Sequence, residues 1–122
     1  MGQTVDLETI VGVAVHAAWE LKAEDPVVLD LRGLCSFTDQ FLICSGDSDR
    51  QVRAIANRIG ERLGAMAVRP HHREGEAEGK WILLDYDDLI IHIFDHETRR
   101  YYDLERLWAD APRRRIDGYS VR

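Results

Sequence analysis

No stretch of this chain approaches the ~20 consecutive apolar residues that a membrane span requires. The first residues show no basic segment leading into an apolar signal core, so a cytoplasmic protein is expected. Cysteine is scarce: the two present, Cys35 and Cys44, stand in no CxxC spacing, which argues against a disulfide framework and against a cysteine-based zinc site. Both are read as reduced and partly buried. The phosphate-cradling patterns GxxxxGK[ST] and GxGxxG are missing. Cys35 and Cys44 lack any cue of thiol activation, and no Ser, His and Asp set rises above chance, so neither an enzyme nor a cofactor is expected.

Charge is unevenly placed, and the body of the chain is more acidic than the total suggests. The net charge is −6, yet Arg113, Arg114, Arg115 and Arg122 lie beyond Pro112 with only Asp117 to oppose them. An acidic body argues against a broad phosphate-binding surface, so no sequence-specific nucleic-acid partner is expected. With 122 residues, 45% hydrophobic and 31% charged, and no internal repeat, the chain suffices for one core. Residues 1–112 are read as one α/β domain and 113–122 as a basic, disordered tail.

The most informative stretch runs from Trp81 to Trp108. Trp81 to Asp85 and Leu89 to Phe94 are rich in β-branched and aromatic residues and flank a Tyr-Asp-Asp cluster, the pattern of an antiparallel hairpin. A two-residue loop at Asp87 and Asp88 sets Tyr86 opposite Leu89, Leu84 opposite Ile91 and Ile82 opposite Ile93. Those six residues form a core face. The other face carries Trp81, Leu83, Asp85, Ile90, His92 and Phe94, a mixture of aromatic, aliphatic and titratable groups common at interface centres. It is the candidate contact surface; the alternative is that helices cover both faces and His92 finds a core partner.

Upstream, Thr4 is placed to cap a helix with apolar residues from Leu7 to Leu21, ended by Asp25-Pro26. Val27 to Leu31 and Phe37 to Cys44 read as strands, the second interior. Ser48-Asp49-Arg50-Gln51 is a capping-box pattern that opens a helix with buried residues Val52, Ile55, Ala56, Ile59 and Leu63, water-facing arginines, and a stop at Gly64. Met66 to Pro70 is expected as an edge strand and His71 to Gly79 as a loop. Tyr101, Leu104, Leu107, Trp108 and Ala111 predict one last helix, closed by Pro112. The sum is a single-domain mixed-sheet α/β sandwich with flanking helices.

Two clusters resemble ligand sets. His92 and His96 on one extended strand would stand roughly 13 Å apart, too far for one ion, so no metal is expected. Asp47 and Asp49 at a helix start suggest an alternative, a magnesium-dependent nucleotide-binding or nucleotidyltransferase protein, although capping explains them as well.

The run from Gly79 to Phe94, then Arg100 to Trp108, with Leu29-Asp30-Leu31, Thr38 to Gly46 and Arg50 to Ala56 in the same order, resembles the ribosomal silencing factor, or iojap, family. That resemblance implies a nucleotidyltransferase-like fold without catalysis. It implies a translational repressor that binds a large-subunit ribosomal protein on the intersubunit face, blocks subunit joining when nutrients are short, and often forms a homodimer. Carried across by position, Trp81, Asp85, Tyr86, Asp88 and His92 match the hairpin motif associated with the partner surface, and Arg100 and Tyr102 match the opening of the last helix. The family commonly has glycine where this chain has Asp87, so a turn longer than, or shaped differently from, type I′ is expected.

Overall fold

Asp6 starts the first helix: its carboxylate accepts from the Thr9 amide at 2.9 Å, satisfying one of the donors that a helix start leaves open. The expected cap, Thr4, lies outside the residues described by this computed structural model, which are 5–115. Helix α1 (Leu7–Glu20) buries Val11, Ala14, Val15, Ala17 and Ala18. It ends earlier than the proline suggested, because Lys22 takes a left-handed φ of 62°. Pro26 then lies inside strand β1 (Glu24–Asp30), where the pairing shifts register between Glu24 and Val27. Such an irregularity is where a strand tolerates a missing amide proton.

Strand β2 (Gln40–Gly46) is buried along its whole length, the interior position its apolar run predicts. Helix α2 (Asp49–Gly64) opens on the capping pattern: Ser48 Oγ accepts from the Gln51 amide at 3.1 Å, and Gln51 Oε1 accepts from the Asp47 amide at 2.6 Å. Its buried stripe is the predicted one. Its outward arginines are less solvated than expected, since Arg58 and Arg62 both pair with Glu20 and Arg53 with Asp49.

Met66 to Pro70 is not a strand. The Ala67 and Val68 amides donate to the Gly64 and Leu63 carbonyls, finishing the helix, and Ala67 has a φ of 62°. The edge strand is β3 (His72–Glu74), within the stretch expected to be loop. Strands β4 (Trp81–Asp85) and β5 (Leu89–Asp95) pair in the predicted register, with Ile82 opposite Ile93 and Leu84 opposite Ile91. The turn keeps two residues: Asp87 takes a φ of 77°, and its amide donates to Asp85 Oδ1 at 2.8 Å. A side-chain acceptor thus accompanies the aspartate where glycine was expected.

The single last helix is instead two, α3 (His96–Tyr102) and α4 (Leu104–Leu107), broken at Asp103, which has a φ of 49°. Arg113–Arg115, expected to be disordered, form strand β6 against β1; residues 116–122 of the expected tail lie outside the described ones.

The sheet order is β3-β4-β5-β2-β1-β6, antiparallel throughout except for the parallel β2–β5 pair. Helices α1 and α2 cover one face over the larger core. The smaller core, on the other face, packs Phe41, Ile90 and Phe94 with Leu104, Trp108 and Ala111 from the C-terminal segment. The fold is therefore the mixed α/β class expected. No helix among the described residues is long and apolar enough to cross a membrane.

Candidate functional site

The hairpin face away from α1 and α2 is organised around Trp81. Its indole stacks on Phe94 with centroids 5.0 Å apart, and Tyr102 of α3 leans against it at 4.7 Å. Tyr101 meets Tyr102 edge to face at 5.0 Å. Trp81 Nε1 donates to His92 Nδ1 at 3.1 Å, and Phe41 stands edge-on to the imidazole at 4.4 Å. Removed from water, His92 is pushed down to a pKa of about 3, so it is neutral at physiological pH.

Burial divides the predicted contact residues. Ile90, His92 and Phe94 are buried, lying in or against the smaller core, and Tyr86 is buried in the larger one. None of the four presents a side chain to a partner in this conformation. The C-terminal segment covers Ile90, His92 and Phe94, while Tyr86 lies on the face packed by α1 and α2. Trp81, Leu83 and Asp85 are half-buried, Tyr102 is 50% exposed, and Asp88 and Arg100 are exposed. Asp88 sits at the far end of the hairpin from Trp81.

Sequence reading missed two exposed apolar groups here, Tyr101 at 80% and Leu107 at 71%. Both were placed at helical spacing in one last helix, which is instead broken at Asp103. Leu34 and Phe37, in the loop after β1, are also exposed. A cleft of ≈ 520 Å³ lies between Trp81, Tyr102 and the loop carrying Gly75, Ala77, Glu78 and Lys80. Arg53 holds that loop, donating to the carbonyls of Glu76 at 2.8 Å and Ala77 at 2.7 Å.

Arg99 ties the covering segment to the sheet. It donates to Ser45 Oγ at 2.8 Å, to the Asp25 carbonyl at 2.9 Å and to Glu105 at 2.8 Å. Burial alone would raise the Glu105 carboxyl, but the hydrogen bond and charge of Arg99 bring it below its ordinary value.

Asp47 and Asp49 are not brought together as the nucleotide alternative needs. Asp49 pairs with Arg53 at 2.6 Å, while Asp47 meets His96 at 2.9 Å. His96 also lies 3.3 Å from Glu24. The hydrogen bond to Asp47 raises Glu24, whereas the bonds from His96 and then Glu24 lower Asp47. His92 and His96 do not share a strand face, since β5 ends at Asp95 and His96 begins α3. Cys44 is buried and pushed up to about 12, a thiol unsuited to nucleophilic work; Cys35 is half-buried, and both are free.

The family model described as "Ribosomal silencing factor during starvation" matches residues 4–122. The chain belongs to the ribosomal silencing factor family. A Bacillus subtilis relative named ribosomal silencing factor RsfS is 39% identical over 110 residues, covering 90% of this chain and 93% of that one. A chloroplastic Iojap protein of Zea mays is 34% identical over 99 residues, 78% of this chain and 41% of the maize one. A crystal structure from Chromobacterium violaceum superposes with a TM-score of 0.84 at 30% identity, over 97% of this chain and 95% of that one. A Bacillus halodurans structure gives 0.79 at 34% identity, over 89% and 99%. For this family member the hairpin motif Trp81 to Phe94 therefore has two layers: an outer one of Trp81, Leu83 and Asp85, and an inner one of Ile90, His92 and Phe94 that holds it in place.

Proposed function

We propose that this protein represses translation by steric occlusion: it binds a large-subunit ribosomal protein on the intersubunit face and prevents the subunits from joining when nutrients are limiting. The observation that carries the reading is the aromatic and aliphatic surface of Trp81, Leu83, Tyr101 and Tyr102, with Leu107 of the following helix exposed as well, on a chain of this family. Tyr101, 80% exposed, continues the ring contacts from Trp81 through Tyr102, and contiguous apolar exposure of this kind marks interaction surfaces. Tryptophan and tyrosine dominate binding energy at interface centres, and Asp85, Asp88 and Arg100 supply polar groups around and beyond them. From Trp81 to Asp88 the hairpin spans roughly 20 Å, enough for one side of a standard interface. The protein acts by occupying space, and its own chemistry has no part in the effect.

The deciding experiment follows the joining of purified subunits by light scattering. Saturating protein slows formation of joined particles when pre-bound to the large subunit; an undiminished joining rate refutes the reading. A homodimer through the same surface is the second reading, favoured by the same exposed apolar groups. Sedimentation over a concentration range, with and without the large subunit, then shows self-association and partner binding excluding each other.

A further inference from the structure

Outside the aromatic surface, one set of side chains converges from three elements. Glu24 opens β1, Asp47 follows β2 and His96 opens α3, and one ligand atom from each lies within 4.8 Å of the other two. We propose that Glu24, Asp47 and His96 form a binding site for a divalent transition-metal ion of the zinc class.

The spacing fits: donors ~2.0 to 2.2 Å from a common centre lie no more than about 4.4 Å apart, which small rotations of these side chains reach. The positions are fixed by regular structure. Gly46 and Asp95 pair at the carboxyl ends of the parallel strands, and Glu24 pairs with Ser45 in the next strand. The connection after β2 runs to the face covered by α2, and that after β5 to the opposite face. Adjacent parallel strands whose connections diverge leave a crevice at their carboxyl ends, the usual place for ligands in α/β sheets.

Charge points the same way. Two carboxylates face one imidazole, and among the described residues neither makes an ion pair with lysine or arginine. Arg99, which touches the Glu24 carbonyl, is committed to Glu105 and Ser45. With both carboxyl groups ionised and the imidazole neutral, the cluster carries two negative charges that a dication held by the same Nε2 atom balances. The imidazole selects the class, since calcium and magnesium prefer oxygen alone while zinc, nickel and cobalt take nitrogen readily. Glu24 and Asp47 are exposed and His96 is half-buried, so water can reach a remaining coordination position.

Calorimetric titration of the full chain with zinc chloride tests this without any ribosomal component. The expected result is one ion per chain, with affinity reduced at least tenfold in both His96→Ala and Asp47→Asn and unchanged in His72→Ala, which removes a histidine paired elsewhere, with Glu74. Circular dichroism establishes that each variant is folded. Zinc also raises the thermal midpoint of the parent and not that of His96→Ala, because a ligand that binds only the folded state stabilises it. No saturation at millimolar zinc, equal affinity in His96→Ala, loss in His72→Ala, or equal saturation by magnesium overturns the proposal.

Discussion

The indole N–H of Trp81 donates to Nδ1 of His92 at 3.1 Å, so one residue of the half-exposed surface is anchored on a buried one. Tryptophan is only a donor, so Nδ1 must be the acceptor and the proton of neutral His92 resides on Nε2. That buried Nε2 has no hydrogen-bond partner among the described residues. Burial away from water disfavours the charged imidazole and accounts for the depressed pKa, and a proton at Nδ1 would in addition set two donors against each other.

The sign of the pH dependence follows. Folded His92 resists protonation down to about 3, while in the unfolded chain it titrates at the ordinary 6.5. Its contribution is full above the unfolded value and is lost as pH falls from there toward the folded one, with a slope of up to ~1.4 kcal/mol per pH unit. In His92→Gln that dependence disappears. Urea unfolding of parent and variant between about pH 7 and pH 5 should show the gap narrowing in acid; a constant gap would refute the assignment.

Trp81 permits a separation of binding from stability. Trp81→Ala removes an anchor of the proposed interface, with an expected loss of ≥ ~2 kcal/mol or about thirtyfold in affinity for the large subunit. Trp81→Phe keeps a ring beside Phe94 and Tyr102 but leaves His92 Nδ1 without its donor, a stability cost of about 1–3 kcal/mol. Co-sedimentation with large subunits, alongside denaturant unfolding, distinguishes the two. A folded Trp81→Ala that co-sediments as well as the parent removes Trp81 from the contact surface.

Arg99 and Glu105 have side chains only 11% and 17% exposed, and the arginine also binds groups on β1 and β2. Removing one member of a largely buried pair leaves the other charged and unmatched. Arg99→Ala is expected to cost about 3 kcal/mol, and Glu105→Gln less because the amide still accepts a hydrogen bond. Because Arg99 holds the segment that covers His92 and Phe94, Arg99→Ala should also increase hydrogen exchange in β5. An unaltered β5 would mean that packing alone holds the segment.

Alternation alone sufficed for the hairpin, since Ile82, Leu84, Ile91 and Ile93 specify one register and the turn at Asp87 preserves it. The Ser48 to Gln51 pattern likewise specified where α2 begins. Both are local signals. Whether His92 faces solvent depends instead on where Leu104, Trp108 and Ala111 come to rest, and that depends on a left-handed Asp103 that helical spacing does not reveal. The grouping of Glu24, Asp47 and His96 was hidden for a related reason: it exists only because β5, β2 and β1 are neighbours, and that order cannot be read from linear spacing.

Two glycines with positive φ separate backbone preference from collision. At Gly33, φ is 83° and an added Cβ meets nothing within 4 Å; at Gly75, φ is 89° and the Cβ would fall 1.8 Å from the Trp81 carbonyl oxygen. Gly33→Ala should therefore cost only the left-handed penalty of about 1–2 kcal/mol. Gly75→Ala must move the loop or β4, so its thermal midpoint should fall further and its tryptophan fluorescence should change. Equal midpoints for the two variants would mean that the loop relaxes without disturbing Trp81.

Leu107 offers the sharpest test of the surface itself, because it is 71% exposed and belongs to neither hydrophobic core. Its removal has little to disturb in the folded chain, so Leu107→Ser should change unfolding free energy by no more than about ±0.5 kcal/mol. If the surface docks, the same change places a hydroxyl in an apolar contact and affinity for the large subunit should fall severalfold, with no change in circular dichroism. Leu34→Ser, also on an exposed apolar side chain but in the loop after β1, is the control. Equal binding by Leu107→Ser and the parent would confine the interface to the Trp81 end of the hairpin, and a loss confined to Leu34→Ser would move it to the loop.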